Sequence, residues 1–418
     1  RSGQRALLYI MVWRYSSLTL PAWHSRPDCE NGSSSWWTVM RILFVLPFPL
    51  TRDAGAAGVL LELGDHLSRR GWQVEYLAPK SNGILSERWI SVTFPLFVLL
   101  KLSFTGQRYD IIDSFPGSCG LYFSAFRKRK SLFVTFSQML LGPFLERSNE
   151  KSARDGVSMF RLMRRRYALW LEHISISCCD VFLALNEEER SYATDRYNIA
   201  PERTFVVGNG IAGHFFCVPR KKRVSRKTVR RIVQIGSYEP RKGVDVTRDA
   251  LAPIMAEFPD LELWFLGTRA LEEKVHSDFP KNIRSRITVI PEYCNDELPA
   301  VIASCDILIF PSLYEAFGLA PLEAMACGLP VIVSDAAGPK QYAKSEVNSL
   351  VVRAGDAQAL SDAVRRLLDD TSLFQLLQNS GYETVLDYRW ADVTDRRIAI
   401  YRGLMSSGSR SHVQRIIV

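Results

Sequence analysis

The sequence lacks the features that mark several protein classes. Its 418 residues contain no run of about eighteen apolar residues, which excludes an integral membrane helix. The eight cysteines form no Cys-x-x-Cys pair and no histidine stands at zinc-finger spacing, so neither a zinc finger nor a disulfide framework is predicted. Most cysteines lie in apolar stretches, and we interpret them as small buried residues of a reducing, cytoplasmic compartment.

Charge is moderate overall but locally concentrated. Lys and Arg number 53 against 44 Asp and Glu, a net charge of +9, and 47% of residues are hydrophobic, which excludes a mainly disordered chain. Eight of the twelve residues 220–231 are basic, and shorter basic runs occupy 127–130 and 164–166. No aromatic residue interrupts the run 220–231, so nucleic acid is not predicted as a partner. An anionic lipid surface, a polyanionic substrate and a merely solvated linker all remain open.

Short apolar runs alternate with helical patterns from Met40 onward. The clearest strands are predicted at 41–46, 74–77, 231–235 and 307–310. The clearest helices are predicted at 58–70, 161–175 and 392–404. This alternation predicts an α/β fold of two doubly wound parallel-sheet domains with a cleft between them, in which ligands bind beyond the carboxyl ends of the strands.

The chain divides by composition into six parts. Residues 1–39 are interpreted as a leader or extension outside the fold, and residues 40–212 as a first domain. A basic linker (213–230) and a second domain (231–388) follow. The chain ends with a closing helix that crosses back to the first domain (389–405) and a tail (406–418). The first part has four tryptophans and no clear periodicity. A membrane-surface anchor is the alternative interpretation of that part.

The segment 311–330, PSLYEAFGLAPLEAMACGLP, has the most chemical content. It follows a predicted strand, and Pro321 suits the first position of a new helix, with Glu323 in its first turn and Gly328 after its end. The free amides and dipole of a helix N-terminus favour a phosphate group. Glu315 and Glu323 could then bind hydroxyl groups of a sugar or a ribose. A solvated loop carboxylate and a helix cap are the alternatives for these two residues.

This segment closely resembles the signature of retaining GT-B glycosyltransferases of family 4. The resemblance extends to VVGNGIAGHFF, IVQIGSYEPRKGVD and YRWADVTDRRIAIYRGL, and it covers residues 40–405. It implies two Rossmann-like domains that face each other across a cleft. It also implies retaining transfer of a sugar from a nucleotide-diphosphate sugar to a saccharide or lipid-linked acceptor, in polysaccharide or glycolipid biosynthesis.

The resemblance assigns the donor sugar and ribose to one stretch of the second domain. Glu315 would contact hydroxyl groups of the donor sugar, and Glu323 would bind the ribose hydroxyls. The backbone of Phe317, Gly318 and Leu319 would contact the sugar and the distal phosphate.

The leaving diphosphate is assigned to the start of the same domain. Lys242 would neutralise it as the glycosidic bond breaks, although membership of the basic linker surface is the alternative. The family often has Arg after the glycine of this first strand, whereas Gly236 is followed here by Ser237, and Arg241 is the candidate substitute. No Asp-x-Asp is present, so the nucleotide-sugar is expected as co-substrate with no metal and no other cofactor.

The first domain carries the weaker part of the resemblance. Gly55 and Gly58 flank a predicted loop which, in the family, lies over the donor phosphates and the acceptor; a tight turn without a ligand is the alternative. Ser137 stands where the family commonly has His, and neither Ser137 nor Gln138 is a good proton acceptor at neutral pH. A catalytically weak scaffold, or a sugar phosphorylase or epimerase of the same architecture, therefore remains an alternative.

The acceptor side has three segments that suggest a membrane. Residues 89–104 are unusually apolar, and 127–130 and 160–170 mix basic with bulky apolar residues. A surface that attaches peripherally to the anionic inner face of the membrane is one interpretation. Core helices with basic outer faces are the other.

Overall fold

The structure of the protein, a computed structural model, describes residues 39–51, 55–80, 87–105, 108–126, 130–152, 159–219 and 229–406. The predicted leader, apart from Val39, most of the basic run 220–231 and nearly all of the predicted tail lie outside the described residues. The chain forms two compact units. The first contains the described residues up to 184 with 189–206 and 394–406, and the second contains 185–188 and 207–393.

The first unit is a parallel α/β structure. Its strands are β1 (Arg41–Val45), β2 (Gln73–Leu77), β3 (Ile111–Ser114), β4 (Leu132–Phe136), β5 (Val181–Ala184) and β6 (Thr204–Val206). Its helices are α1 (Gly55–Arg69), α2 (Glu87–Thr105), α3 (Gly120–Ala125), α4 (Leu141–Ser152), α5 (Met159–Cys178) and α6 (Glu187–Tyr197). The six strands pair in the order β2-β1-β3-β4-β5-β6. Four strands, β1, β3, β4 and β5, are buried along almost their whole length, as expected of a sheet with helices on both faces.

The second unit repeats this architecture. Its strands are β7 (Arg231–Ile235), β8 (Glu262–Leu266), β9 (Ile287–Ile290), β10 (Ile307–Phe310), β11 (Val331–Ser334) and β12 (Leu350–Val352). Its helices are α7 (Val244–Glu257), α8 (Glu272–Ser277), α9 (Leu298–Ser304), α10 (Leu319–Ala326), α11 (Ala357–Asp369) and α12 (Thr371–Leu386). A final helix, α13 (Trp390–Ser406), supplies residues to both units.

The order of the second sheet creates a point where the chain reverses direction across the sheet. The strands pair as β12-β11-β10-β7-β8-β9, so the chain runs outward from β7 to β9 and then returns to β10 on the other side of β7. Both neighbours of β7 are parallel to it. Ligands of such sheets bind beyond the carboxyl ends of the strands at this reversal. A ligand site is therefore expected at the loops that follow β7 and β10.

The sequence predicted the strands better than the helix boundaries. The strands predicted at 231–235 and 307–310 are confirmed to the residue. Helix α1 begins at Gly55, not at residue 58, because the two alanines between Gly55 and Gly58 are strong helix formers. The prediction that these glycines flank a loop is therefore wrong. Helix α10 begins at Leu319 rather than at Pro321. Pro321 is the third residue of the helix, a position in the first turn where proline is also tolerated.

Helix α2 of the first unit carries exposed apolar side chains. On α2, Leu96, Leu100 and Phe104 are exposed at a four-residue spacing, while Phe94 and Val98 are buried in the core of the unit. Residues 89–104 thus lie in a helix that packs one side into the core, as the second interpretation of this segment predicted, and Pro95 does not break it. Within the described residues, no helix is both long enough and apolar enough to span a membrane.

Candidate functional site

A lysine and a glutamate from the loops after β7 and β10 meet at the reversal point of the second sheet. The Lys242 ammonium donates a hydrogen bond to Oε2 of Glu315 over 2.5 Å. The Arg241 guanidinium lies 3.9 Å from the same oxygen and is held at 3.2 Å from Glu239. The side chains of Lys242 and Glu315 are 13% and 16% exposed, so the pair is mostly buried yet still reachable by a ligand.

The turn that carries Lys242 is fixed on several sides. It is a short 3-10 helix, Pro240–Lys242, and its Arg241 carbonyl accepts a hydrogen bond from the backbone N–H of Leu313 over 2.7 Å. The Lys242 ammonium lies 5.2 Å from the centre of the Phe310 ring, a cation–π distance. A side chain at Gly236 would lie against Lys242, at 3.4 Å from its Cε. The sequence-predicted residues Gly236, Arg241 and Lys242 thus lie together.

Gly243 ends this turn in a conformation that other residues avoid. Its φ is +72°, in the left-handed region, and it directly precedes the first residue of α7. A Cβ atom built on Gly243 would lie 2.1 Å from the carbonyl oxygen of Pro311. Glycine therefore serves two needs here, the backbone angle and the close approach of the two loops.

The backbone around Glu315 is held by three groups that the sequence did not single out. The N–H of Gly338 donates to the Glu315 carbonyl over 2.9 Å. The Asn186 side-chain amide donates to the Ala316 carbonyl over 2.6 Å, and the Tyr342 hydroxyl donates to the Gly318 carbonyl over 2.7 Å. Asn186 and Tyr342 are buried. Both lie outside the motif, so its spacing gave no signal for them.

Phe317 directs its side chain away from solvent. The ring is buried and packs against Tyr342 and Tyr388, with centroid distances of 5.8 and 6.1 Å. A Cβ atom at Gly208 would lie 2.6 Å from the same ring. The glycine of the VVGNG segment therefore leaves room for Phe317, whose contribution to a ligand site is limited to its backbone.

Helix α10 begins beside this backbone. Gly318 precedes it with a φ of +81°, and Leu319 is its first residue. Among the described side chains, none caps this end of the helix, which leaves its N-terminal amides available to an anion. Glu323 is the fifth residue of the helix, so the prediction that it lies in the first turn is wrong; the helix starts two residues earlier than the proline suggested.

Burial controls the ionisation of Glu323. Its carboxyl is withdrawn from water, and this desolvation raises the pKa of Glu323 to about 7. Burial, followed by the nearby charge of Glu323, raises the pKa of the Tyr293 phenol to about 12. A carboxyl with a pKa near neutrality changes charge in the range where the protein would work, and hydrogen-bond donors on a ligand would favour its charged form.

The ribose role that the family resemblance assigns to Glu323 predicts that binding of a nucleotide-sugar depends on pH. Ribose hydroxyls favour the ionised carboxylate, so affinity should be highest above pH 7 and fall by up to about tenfold per unit below it. Titration calorimetry between about pH 5.5 and 8.5, a window above the ordinary pKa of carboxyl groups, measures this dependence. The Glu323→Gln variant should give a flat profile over the same range. A wild-type profile as flat as that of the variant would show that Glu323 does not contact the ligand.

The remaining sequence-predicted site residues belong to the first unit. Gly55 and Gly58 lie in the first turn of α1. Ser137 follows β4 and is fully buried, and its hydroxyl has no hydrogen-bond partner among the described residues. Its backbone N–H donates to the carbonyl of Leu183. A ligand role for these three residues stays a prediction.

Two family models match the chain, one in each half. The model of glycosyltransferase family 4 matches residues 54–212, and the model of glycosyl transferases group 1 matches residues 219–384. The phosphatidyl-myo-inositol mannosyltransferase of Mycobacterium leprae is 26% identical over 385 residues, which are 90% of this chain and 100% of that protein.

Solved structures agree with the fold. Sucrose-phosphate synthase from Thermosynechococcus elongatus is 20% identical and gives a TM-score of 0.71 over 88% of this chain and 99% of that one. Anabaena HepE in complex with UDP is 18% identical and gives a TM-score of 0.63 over 88% of this chain and 100% of that one. The two family models together with these structural neighbours identify the chain as a GT-B glycosyltransferase of family 4.

Proposed function

We propose that the protein moves a sugar, with retention of configuration, from a nucleotide-diphosphate sugar to a saccharide or lipid-linked acceptor in polysaccharide or glycolipid biosynthesis. The observation that carries this proposal is the contact of Lys242 with Glu315 at the reversal point of the second sheet. A mostly buried cation and a carboxylate at the carboxyl ends of β7 and β10 suit a diphosphate and a sugar bound side by side.

The charges of the site match the charges that develop in the reaction. As the glycosidic bond breaks, positive charge grows on the sugar and negative charge on the leaving diphosphate. Lys242 and Arg241 supply fixed positive charge, and the N-terminus of α10 adds backbone amides. Glu315 holds the lysine in place and offers its carboxylate to sugar hydroxyls. The acceptor hydroxyl attacks on the face of the leaving group, and the leaving phosphate takes its proton.

The relatives support the same substrate classes. The mycobacterial relative is named as a mannosyltransferase that acts on phosphatidyl-myo-inositol, and HepE was solved with UDP. For this chain we propose a nucleotide-sugar donor, with a lipid-linked or free saccharide as acceptor. We propose further that Lys242 and Arg241 neutralise the diphosphate without a metal ion.

Sugar transfer by the full chain tests the proposal. The protein is incubated with UDP-, GDP- and ADP-linked sugars and a panel of saccharide and phosphoinositide acceptors, and products are identified by mass and by the NMR coupling at the anomeric carbon. We expect one donor to give a product that keeps the anomeric configuration, with the same rate in the presence of EDTA. An inverted product would contradict retention, and loss of activity with EDTA would contradict metal independence. Release of a sugar phosphate from a disaccharide and inorganic phosphate would identify a phosphorylase instead.

Ser137 favours a second candidate, a scaffold that keeps the donor site but has little activity. A fully buried serine occupies the position where the family commonly has histidine. Binding of a nucleotide without turnover, across the whole acceptor panel, would support this candidate over the enzyme.

We also propose that residues 159–170 of α5 contact an anionic membrane surface. Met159, Phe160, Met163 and Trp170 are exposed on this part of the helix. The basic run 164–166 lies among them, with Arg166 exposed. Bulky apolar side chains beside arginines suit the interface between lipid headgroups and acyl chains, where both kinds of group find partners.

The change of Arg164, Arg165 and Arg166 to alanine tests this surface. At about 1 kcal/mol per basic residue near an anionic membrane, partition onto phosphatidylglycerol vesicles should weaken by on the order of a hundredfold. Sedimentation with vesicles measures it, and neutral phosphatidylcholine vesicles should bind weakly in every case. The control variant carries alanine at the exposed lysines of the second unit, at positions 274, 281 and 340. It loses the same charge, so equal weakening in both variants would overturn a specific surface.

A further inference from the structure

A buried glutamine lies in the middle of the strand that leads to the proposed donor site. Gln234 on β7 is 3% exposed and has apolar neighbours in the strand RIVQI. Its Nε2 donates a hydrogen bond to the backbone carbonyl of Lys242 over 2.8 Å. Its Oε1 accepts a hydrogen bond from Oγ1 of Thr247 over 2.7 Å. Thr247 is fully buried on α7.

The chemistry of the two partners fixes the orientation of the amide. The Lys242 carbonyl can only accept, so the NH2 group of Gln234 must face it. The amide oxygen then faces Thr247, whose hydroxyl donates. A flipped amide would place two acceptor oxygens together. Three residues from a strand, a turn and a helix therefore form one directed chain of hydrogen bonds, Thr247 to Gln234 to Lys242.

A leucine or methionine at position 234 would fill the same core without burying a polar group. A buried amide stabilises a fold only as far as its hydrogen bonds offset its lost hydration, and replacing both hydrogen-bonding partners by apolar groups of the same shape is often nearly neutral. The strand does not need the amide for its own ladder, because that ladder is made by backbone groups. What the amide adds is a connection between the sheet and the residue that carries the site's ammonium group.

We propose that Gln234 and Thr247 are positioning residues that act through Lys242 to hold its ammonium where a diphosphate binds; this rests on the proposed function. The turn of Lys242 has local bonds, from its N–H to Glu239 and from the Gly243 N–H to Pro240, each of 2.9 Å. Those bonds shape the turn, and the Leu313 N–H holds it to the loop after β10, but none of these bonds attaches it to a strand. Gln234 attaches the turn to β7 through the Lys242 carbonyl, and Thr247 keeps the NH2 group of Gln234 directed towards that carbonyl.

Comparing the affinity for nucleoside diphosphates with that for monophosphates distinguishes a positioning role of Gln234 and Thr247 from a general contribution to stability. The second phosphate is the group that Lys242 is proposed to neutralise, so the ratio of diphosphate to monophosphate affinity reports on the lysine. We compare UDP with UMP, GDP with GMP and ADP with AMP by calorimetry on the full chain. Thr247→Val removes the hydroxyl at nearly constant shape, Thr247→Ser keeps it, and Gln234→Met removes the amide.

The expected result is a change in that ratio alone. Thr247→Val and Gln234→Met should lower diphosphate affinity by about tenfold and change monophosphate affinity by less than about twofold. A tenfold loss corresponds to about one hydrogen bond, here one that holds the backbone of Lys242 in place. Thr247→Ser should bind as the unaltered protein does. In a Lys242→Ala background, Gln234→Met should have no further effect on diphosphate affinity.

Other outcomes overturn the inference in distinguishable ways. Equal weakening of monophosphate and diphosphate, or a Thr247→Ser variant no better than Thr247→Val, would make these residues part of general core packing. Unchanged diphosphate affinity in both Thr247→Val and Gln234→Met, with Lys242→Ala weakened, would overturn the positioning role and leave the proposed function intact. Unchanged affinity in Lys242→Ala would instead overturn the role of the lysine in the proposed function, and the positioning role with it.

Discussion

Replacing Lys242 with alanine is expected to lower the rate of sugar transfer by about a hundredfold to a thousandfold, the usual effect of removing one charged group that stabilises a leaving anion. The ammonium is mostly buried, 2.5 Å from Glu315, so its field is weakly screened by water. The substitution removes the cation and also leaves the Glu315 carboxylate to repel the diphosphate. Steady-state rates of the wild-type protein and the variant, with the donor identified in the panel, measure the effect.

Two control variants sharpen this prediction. Lys274→Ala removes an exposed lysine whose partner, Asp278, lies one helical turn away, and it should leave transfer unchanged. Lys242→Arg keeps the charge but spreads it over a planar group that does not fit the same hydrogen bond, so an intermediate rate is expected. A Lys242→Ala rate within a factor of about two of wild type would contradict the assigned role, because removing one such group typically lowers the rate by about a hundredfold or more.

Gly243→Ala is expected to destabilise the second unit by about 2–5 kcal/mol and to abolish nucleotide binding. Left-handed backbone costs an alanine about 1–2 kcal/mol, and inserting a methyl group into a filled space costs typically 1–3 kcal/mol. The new methyl would meet the carbonyl oxygen of Pro311 at 2.1 Å, so the two loops must separate. That separation moves Lys242 away from Glu315. Denaturant unfolding and calorimetry with the nucleotide measure the two effects.

Gly71→Ala isolates the conformational part of this effect. Gly71 has a φ of +83°, close to that of Gly243, but nothing lies within 4 Å of a Cβ built on it. Its substitution should therefore show the backbone cost of about 1–2 kcal/mol alone and leave nucleotide affinity unchanged. If Gly243→Ala destabilised the protein no more than Gly71→Ala and kept its affinity, the close approach of the two loops would not matter for the site.

The strands could be predicted because burial on both faces leaves a simple signal. The run Ile307–Phe310 is apolar throughout, and Val331–Ser334 is apolar up to its last residue. Turn residues bound both runs, so their limits can be predicted closely. Helix ends carry less information. Gly318 adopts a left-handed angle that lets α10 start at Leu319, and the sequence alone does not distinguish this from a start at Pro321.

The centre of the candidate site was predicted through the family resemblance, and its supports were not. Lys242 and Glu315 are 73 residues apart, and no local pattern brings them together. Asn186 and Gln234 support the two loops from buried positions, but a single polar residue in or after an apolar strand is equally consistent with an ordinary buried hydrogen bond. Their roles depend on which backbone carbonyl each side chain reaches, and only the folded structure gives that.

Binding of UDP, GDP and ADP to the full chain tests the central claim, a donor site at the reversal point of the second sheet, most directly. Thermal unfolding is followed with each nucleotide and its common sugar conjugates, beside a Glu323→Ala variant. The account predicts that one nucleotide stabilises the protein, by about 2.7 kcal/mol at a hundred times its dissociation constant, and that the variant loses this effect. A protein that unfolds cooperatively and is stabilised by none of the three nucleotides would contradict it.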